Sequence, residues 1–596
     1  MARTSKAVQE VSGILRPDDM ASFVVNRYVT WRGDCSKWLD QSKELRNYLF
    51  QTSTEDTTNA KLPWKNSTSV PKLAQLRDNL HANYYSALFP NDNWFKWEAA
   101  STEAADRETA RLIESYMAQK IRESDFKQAV SRALYDYIDY GNAFGEVSHQ
   151  TSVHTNESGE NTLVYSGPKL HRISPYDIYF DVTASTFTDS GKITRRISSL
   201  GSLQAAFEED PTGFSWVPSA IEDAIATRKT LNSYGDSDID KSEGFQIDGF
   251  GNLSSYYSSD MVELLEYEGD TFDMETGELQ TGRRVIVMER RKVVYDEPFE
   301  SWLGKSNKEH VNWRPRPDNL MGMGPLDNLV GMQYRLDHLE NLKADVFDQI
   351  AHPMIVVKGM VEDFEWEPGG RIYSDLDSDV QVLRPDATAL NAEFQMDKLM
   401  VNMEEMAGAP RQAMGIRTPG EKTAFEVQSL ENAAGRIFQQ KIQKFEEEFV
   451  EPLLNQMLEV ARRNIGATEV VKVLNDDFAV QEFLKITPDT LNQRGKIYPI
   501  GARHFAQQAQ IVQNLLGFIN SAAYQDPAVS THISGKKVAE IMEEHLGLGK
   551  FELVQDNIRI AEGQESQALA AQTQENVVGQ IADRQAIDDQ AEEAEV

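Results

Sequence analysis

Residues 325–350 read PLDNLVGMQYRLDHLENLKADVFDQI. Proline stands at the first turn, where its missing N–H costs no hydrogen bond, and Leu326, Leu329, Leu336, Leu339, Leu342, Val346 and Ile350 recur at helical spacing. Asp327, Arg335, Asp337, Glu340, Lys343 and Asp345 place charge elsewhere around a helix ~38 Å long. The apolar stripe is narrow, so the helix needs partners, and other helices are the expected ones.

Downstream, His352-Pro353 ends that helix. Met354 to Lys358, Arg371 to Tyr373 and Val380 to Leu383 are short strand candidates separated by Pro368-Gly369-Gly370, which predicts a small β-rich insertion. A second helix is expected from about Ala389 to Ala407, then a polar loop from Gly408 to Gly420. A third, much longer helix is expected from about Lys422 to Ile465, with Pro452 able to kink it. Beyond Gly466 come a strand-like run at Val470 to Leu474 and helices near 501–522 and 535–560.

Upstream, residues 17–150 read mainly as helices punctuated by Pro63, Pro71 and Pro90. From about 145 to 200 short runs such as Thr162 to Tyr165 and Tyr176 to Phe180 suit strands. Met261 to Tyr267 and Arg284 to Tyr295 form a second strand region, with Gly277 and Gly282 placed for hairpin turns, and 229–260 reads as an exposed loop. The fold class is therefore α+β, predominantly α-helical.

The 596 residues exceed the ~250–300 at which a single core stops growing, so several domains are expected. A hydrophobic fraction of 40% supplies enough apolar surface to fold them despite a net charge of −34. That charge makes general phosphate-backbone binding a poor source of affinity, so nucleic-acid contact must be local or weak. Cys35 is the single cysteine, which excludes an intrachain disulfide and any multi-cysteine metal site and fits a reducing compartment. A signal peptide and an 18-residue apolar run are both absent, so neither export by that route nor a membrane span is expected. Residues 561–596 hold nine acids and one base, Arg584, and read either as a disordered tail or as a helical extension stabilised by oligomerisation.

The chemistry sought is mostly missing. Gly415 to Thr423, GIRTPGEKT, misses the phosphate-loop pattern because Glu421 stands where lysine is required, and its carboxylate would repel a phosphate. The histidines show no metal-ligand spacing, Gly-x-Ser-x-Gly does not occur, and Cys35 has no thiol-enzyme context. No catalytic residue, metal or cofactor is assigned, and the protein is expected not to be an enzyme. Arg411, Arg417 and Lys422 do gather around the 408–420 loop, as weak salt-sensitive contacts for a passing polyanion, or as ordinary loop solubility or subunit salt bridges.

Several strings, in order, resemble the portal (head-to-tail connector) proteins of tailed bacteriophages, most closely those of short-tailed phages. They are Leu62-Pro63-Trp64 before a helix ending Ala87-Leu88-Phe89-Pro90, the Tyr140-Gly141-Asn142-Ala143 turn, Gly322-Met323-Gly324-Pro325 opening the long helix, and Arg417 to Ala424 leading into the next. The resemblance implies a wing over residues 1–324, stem helices at 325–351 and 389–407, a clip at 352–388 and a tunnel loop at 408–424. It places the long wing helix and its β return at 425–500, a crown at 501–560, and the acidic tail, 561–596, as a possible barrel extension.

It further implies a homo-oligomeric ring of twelve subunits at one capsid vertex, built into the major capsid protein and scaffold, through which double-stranded DNA is packaged, retained and ejected. The large terminase subunit and then a tail adaptor would dock there, with ejection proteins as further partners, in the virion and, during assembly, in the host cytoplasm. Arg411, Arg417, Thr418 and Lys422 would face the DNA. Trp366, Arg371 and Tyr373 would anchor clip partners, because aromatic and Arg residues favour interfaces, although Trp366 and Tyr373 equally suit the insertion's own core. Two other readings are another virion structural or ejection protein and a nucleic-acid-processing enzyme with an acidic metal site.

Overall fold

In a computed structural model the chain is described over residues 20–50, 68–90, 94–100, 107–155, 161–230, 260–272, 279–299, 301, 306–351, 354–359, 379–383, 392–408, 437–465, 469–475 and 480–501. The chain divides into two compact units, 1–473 with 483–502 and 474–482 with 503–596, and nearly all described residues belong to the first. They form a mixed α and β fold in which helix takes the larger share.

Five helices open it: α1 (Met20–Asp34), α2 (Ser36–Phe50), α3 (Lys72–Leu88), α4 (Arg107–Glu123) and α5 (Phe126–Asp139), with strand β1 (Phe95–Ala99) between α3 and α4. Leu73, Leu76, Leu80, Tyr84, Ala87 and Leu88 follow helical spacing along α3 and are all buried, so α3 turns one continuous face into the main core. That core also takes in α4, α5 and the long helix described below.

A long hairpin follows, β2 (Asn142–Thr155) and β3 (Asn161–Ile173), then β4 (Ile178–Phe180) and β5 (Lys192–Ser199). Two helices, α6 (Leu200–Glu209) and α7 (Val217–Thr230), precede β6 (Met261–Phe272), β7 (Leu279–Met288) and β8 (Lys292–Pro298). Strands β4 to β8 make an antiparallel five-stranded sheet in sequence order. Both faces are used, as the period-2 alternation requires. Leu265, Tyr267, Val285 and Val287 pack under α1, whereas Val262, Leu264, Ile286 and Met288 pack under α6 and α7.

One strand expectation and one turn expectation need correction. The stretch from Arg284 to Tyr295 is two strands, because Glu289 and Arg290 both take left-handed φ (50° and 59°) and Arg291 donates to the Met288 carbonyl at 3.1 Å, the tight reversal of a hairpin. Arg290 is held there by a paired contact to the buried Glu263 carboxylate, 2.8 Å on both nitrogens. Gly282 makes no turn; it lies inside β7 with φ +64°. Gly277 lies outside the described residues.

Strand β9 (Lys308–Asn312) pairs with the first five residues of β2 to complete a three-stranded sheet, β3-β2-β9, and β10 (Arg314–Arg316) and β11 (Asn319–Met323) form a small hairpin. The chain then enters a 3-10 turn at Asp327–Leu329, whose Asp327 carboxylate accepts the Gly324 amide at 2.8 Å, and continues as α8 (Val330–Ala351). Beyond α8, β12 (Met354–Lys358) and β13 (Asp379–Leu383) pair antiparallel, in agreement with two of the three strand candidates. The Arg371 to Tyr373 candidate lies outside the described residues.

Helix α9 (Ala392–Met406) follows. The long helix, described from residue 437, passes through a π-helical turn at Glu446–Val450 into α10 (Glu451–Asn464), whose second residue is Pro452. Proline removes one amide and its ring collides with the carbonyl one turn earlier, and the wider π turn relieves both. Then come β14 (Glu469–Asn475), β15 (Val480–Ile486), the short α11 (Pro488–Leu491) and β16 (Gly495–Pro499). β16 pairs with β1 from Phe95↔Pro499 to Ala99↔Gly495, a closure that the expectation of a mainly helical 17–150 did not include.

Candidate assembly surface and buried ionic groups

Helices α8 and α9 lie together over a small cluster, Leu336, Leu339, Ala392 and Met396, with Val70, Leu399 and Met400 half-buried beside it, while Met403 of α9 joins the main core. Above that cluster α8 carries a row of polar side chains at one-turn spacing, Gln333, Asp337 and Asn341, all buried. They hold the extended segment 68–70. Asn341 accepts the Thr68 amide at 2.7 Å and donates to the Thr68 carbonyl at 3.1 Å; Asp337 accepts the Val70 amide at 2.9 Å, and Gln333 donates to the Val70 carbonyl at 2.6 Å. Asp337, one of the charges placed off the apolar stripe, is therefore buried against this segment. Burial raises its carboxyl pKa against the opposing pull of these hydrogen bonds.

The next residues begin α3, and Lys72 reaches the Glu404 carboxylate of α9 at 2.6 Å, both side chains buried. Segment 68–72 thus ties both helices of the pair to the main core. Farther along, Lys343 bonds Glu393 at 2.8 Å, which raises the lysine pKa and lowers that of the glutamate.

The apolar stripe read from the sequence does not end where the cluster ends. Leu342 and Val346 are half-buried, while Phe347 is 63% exposed and Ile350 lies open on α8, and Phe394 is 78% exposed and Met406 half exposed on α9. These large apolar groups have no cover among the described residues.

A second concentration of polar groups lies where the two sheets meet. Lys308 of β9, wholly buried, reaches Glu268 at 2.9 Å and Glu266 at 3.4 Å; Arg284 reaches Glu266 at 2.6 Å, and Arg196 joins Glu266 to Glu146. Sheet alternation places Glu266 and Glu268 on the face that Val262 and Leu264 present to α6 and α7, but farther along the strand, where β9 covers them instead. Burial and the Lys444 and Lys192 charges push the His310 imidazole down to about 3, keeping it neutral between Phe144 and the Asn142 side chain. Each charge here has a protein partner, so the cluster reads as a joint between sheets, with nothing directed at a ligand.

A recess of ≈ 490 Å³ opens among α3, β1, α4 and α5, walled by Tyr85, Trp94, Phe95 and Ile121. Ser131 lines it, with its Oγ 3.0 Å from His81 Nε2. The imidazole stacks on Tyr135 at 3.7 Å, burial lowers its pKa, and no described carboxylate hydrogen-bonds it, so the pair lacks the orienting group of a nucleophilic triad.

The residues singled out in the sequence, Arg411, Arg417, Thr418 and Lys422 on one loop and Trp366, Arg371 and Tyr373 between β12 and β13, all lie outside the described residues. Among the described residues no group of three or more His, Cys, Asp or Glu is placed to hold a metal, and no helix is long and apolar enough to cross a membrane. No protein-family model matches the chain, and no curated protein matches it.

Proposed function

We propose that the protein is a phage portal: a ring-forming subunit whose copies line a channel for double-stranded DNA at one capsid vertex, serving packaging, retention and ejection. Terminase and later a tail adaptor would dock on the segment between β12 and β13, and a few cations of the 408–424 loop would touch the moving DNA. The resemblance of the sequence motifs supplies this reading.

One structural observation supports it: Phe347 and Ile350 on α8 and Phe394 and Met406 on α9 stand exposed, with no cover among the described residues. Covering these four side chains is worth roughly 5 kcal/mol per protomer, near the lower end of the cost of association, so neighbouring copies are the natural cover but further contacts are needed. A ring supplies two neighbours to every copy. The net charge of −34 disfavours adhesion of DNA to such a channel, which suits transport.

Negative-stain imaging of the full-length protein tests this. Rings with a central hole are expected, and the double variant F347D/F394D should lose them while its circular dichroism stays that of the parent. A wild-type protein that is monomeric at high concentration, or that forms filaments, would remove the portal reading.

A further inference from the structure

In this acidic chain four guanidinium groups converge on one recess of ≈ 290 Å³ formed by α2, α3, α5 and β3. Two are already neutralised. Arg77 bonds Asp139 at 2.7 Å, and Arg172 grips Asp136 through two nitrogens. The other two, Arg46 of α2 and Arg132 of α5, are exposed and pair with no carboxylate among the described residues. The carboxylates of the lining thus leave two positive charges over, although Asp78 lies 3.7 Å from Arg77.

The cations are interleaved with aromatic rings. Phe50, 52% exposed, carries Arg77 at 5.0 Å and Arg46 at 5.9 Å from its ring centre. Tyr135 carries Arg77 at 4.1 Å, and Tyr176 carries Arg46 at 6.0 Å. Of the two cations without a carboxylate, Arg46 lies over Phe50 and Tyr176 and interacts with the Tyr176 hydroxyl, which leaves its remaining N–H groups for an oxyanion, and the exposed Phe50 ring offers a base a stacking face.

We propose that this recess binds a nucleotide unit, its phosphate on Arg46 and Arg132 and its base against Phe50. The source is a nucleic-acid strand or a free nucleotide, which share this chemistry. The inference is independent of ring formation.

Full-length protein is titrated with a fluorescent dT12 strand and, by calorimetry, with dTMP. R46A/R132A changes exposed side chains, loses at most the ring and hydroxyl contacts of Arg46, and should melt within a few degrees of the parent. For the strand, its affinity should fall at least about tenfold, and the slope of log K against log salt should flatten by about 1.4, two phosphate contacts at ~0.7 each. F50A should weaken the strand severalfold and leave the salt slope in place, the mark of a lost stacking contact. Binding of the strand, lost in R46A/R132A, assigns the site to nucleic acid; binding of dTMP alone, equally lost, assigns it to a free nucleotide. If the parent binds neither, or if R46A/R132A binds as the parent does, the proposal is wrong, whether or not rings are seen.

Discussion

Gly141, at the turn from α5 into β2, lies directly against Gly324, just before the 3-10 turn that opens α8: a Cβ on Gly141 would stand 2.2 Å from the Gly324 nitrogen. Gly141 also takes φ +67°. Two sequence motifs almost two hundred residues apart thus meet at one crossing of bare backbone. Gly141→Ala combines a left-handed alanine, costing ~1–2 kcal/mol, with a backbone collision, and should destabilise by at least about 3 kcal/mol in urea unfolding. A variant within 1 kcal/mol of the parent would mean that the crossing is looser than described.

Asn142, next in the chain and wholly buried, bonds the same junction. Its Nδ2 donates to the Tyr140 and Gly322 carbonyls at 2.9 and 3.2 Å, and its Oδ1 accepts the Gly322 amide at 2.8 Å. Asn142→Ala leaves those groups buried without partners and should cost roughly 2–4 kcal/mol. Asn142→Asp keeps the acceptor but removes the donor, and should not restore stability. Thermal melting of both variants checks the point.

Lys72→Met should destabilise by about 2–4 kcal/mol, since it takes the cation away from the buried Glu404 carboxylate. The double variant K72M/E404L removes both charges and should recover much of that loss. A double-mutant cycle in denaturant that showed additive losses would contradict the pairing.

Asp136 introduces a pH dependence. Burial pushes its carboxyl up to about 6, against the pull of Arg172 and Arg77 and with help from the neighbouring Asp139 charge. A carboxyl raised in the folded state holds its proton more tightly there than in the unfolded chain. Its stabilising contribution is complete below the unfolded value near 3.9 and is lost as pH rises through about 6. The stability of the parent relative to D136N should therefore fall by on the order of 2 kcal/mol between pH 4.5 and 7. A difference that stays constant across that window would refute the shift.

Much of the architecture is legible without coordinates. The helix expected from Pro325, its successor, the strands at 354 and 380 and a break in regularity near Pro452 follow from spacing and from proline geometry, which act within a few residues, although the first α-helix starts only at Val330, behind a 3-10 turn that leaves Pro325 outside it. The burial of Asp337 is not legible, because a charge off the apolar stripe looks the same in sequence whether it meets water or the amides of residues 68–70. The Glu289-Arg290 reversal carries no glycine, so its left-handed backbone gave no sign; the buried Glu263 that grips Arg290 comes from another strand. The arginine recess is equally silent, because its cations come from four separate elements with no common motif.

The single cysteine alone excluded an intrachain disulfide, the acid excess alone set the charge, and local periodicity determined the mixed α and β character and most of the helices, since periodicity depends on neighbours along the chain. Tertiary structure alone decided that Phe95–Ala99 closes against a strand some four hundred residues later, that Gly141 touches Gly324, and that Arg46 and Arg132 share a recess. Those pairings depend on which surfaces the core brings within a few ångströms, a property of the folded whole that no short window of sequence carries.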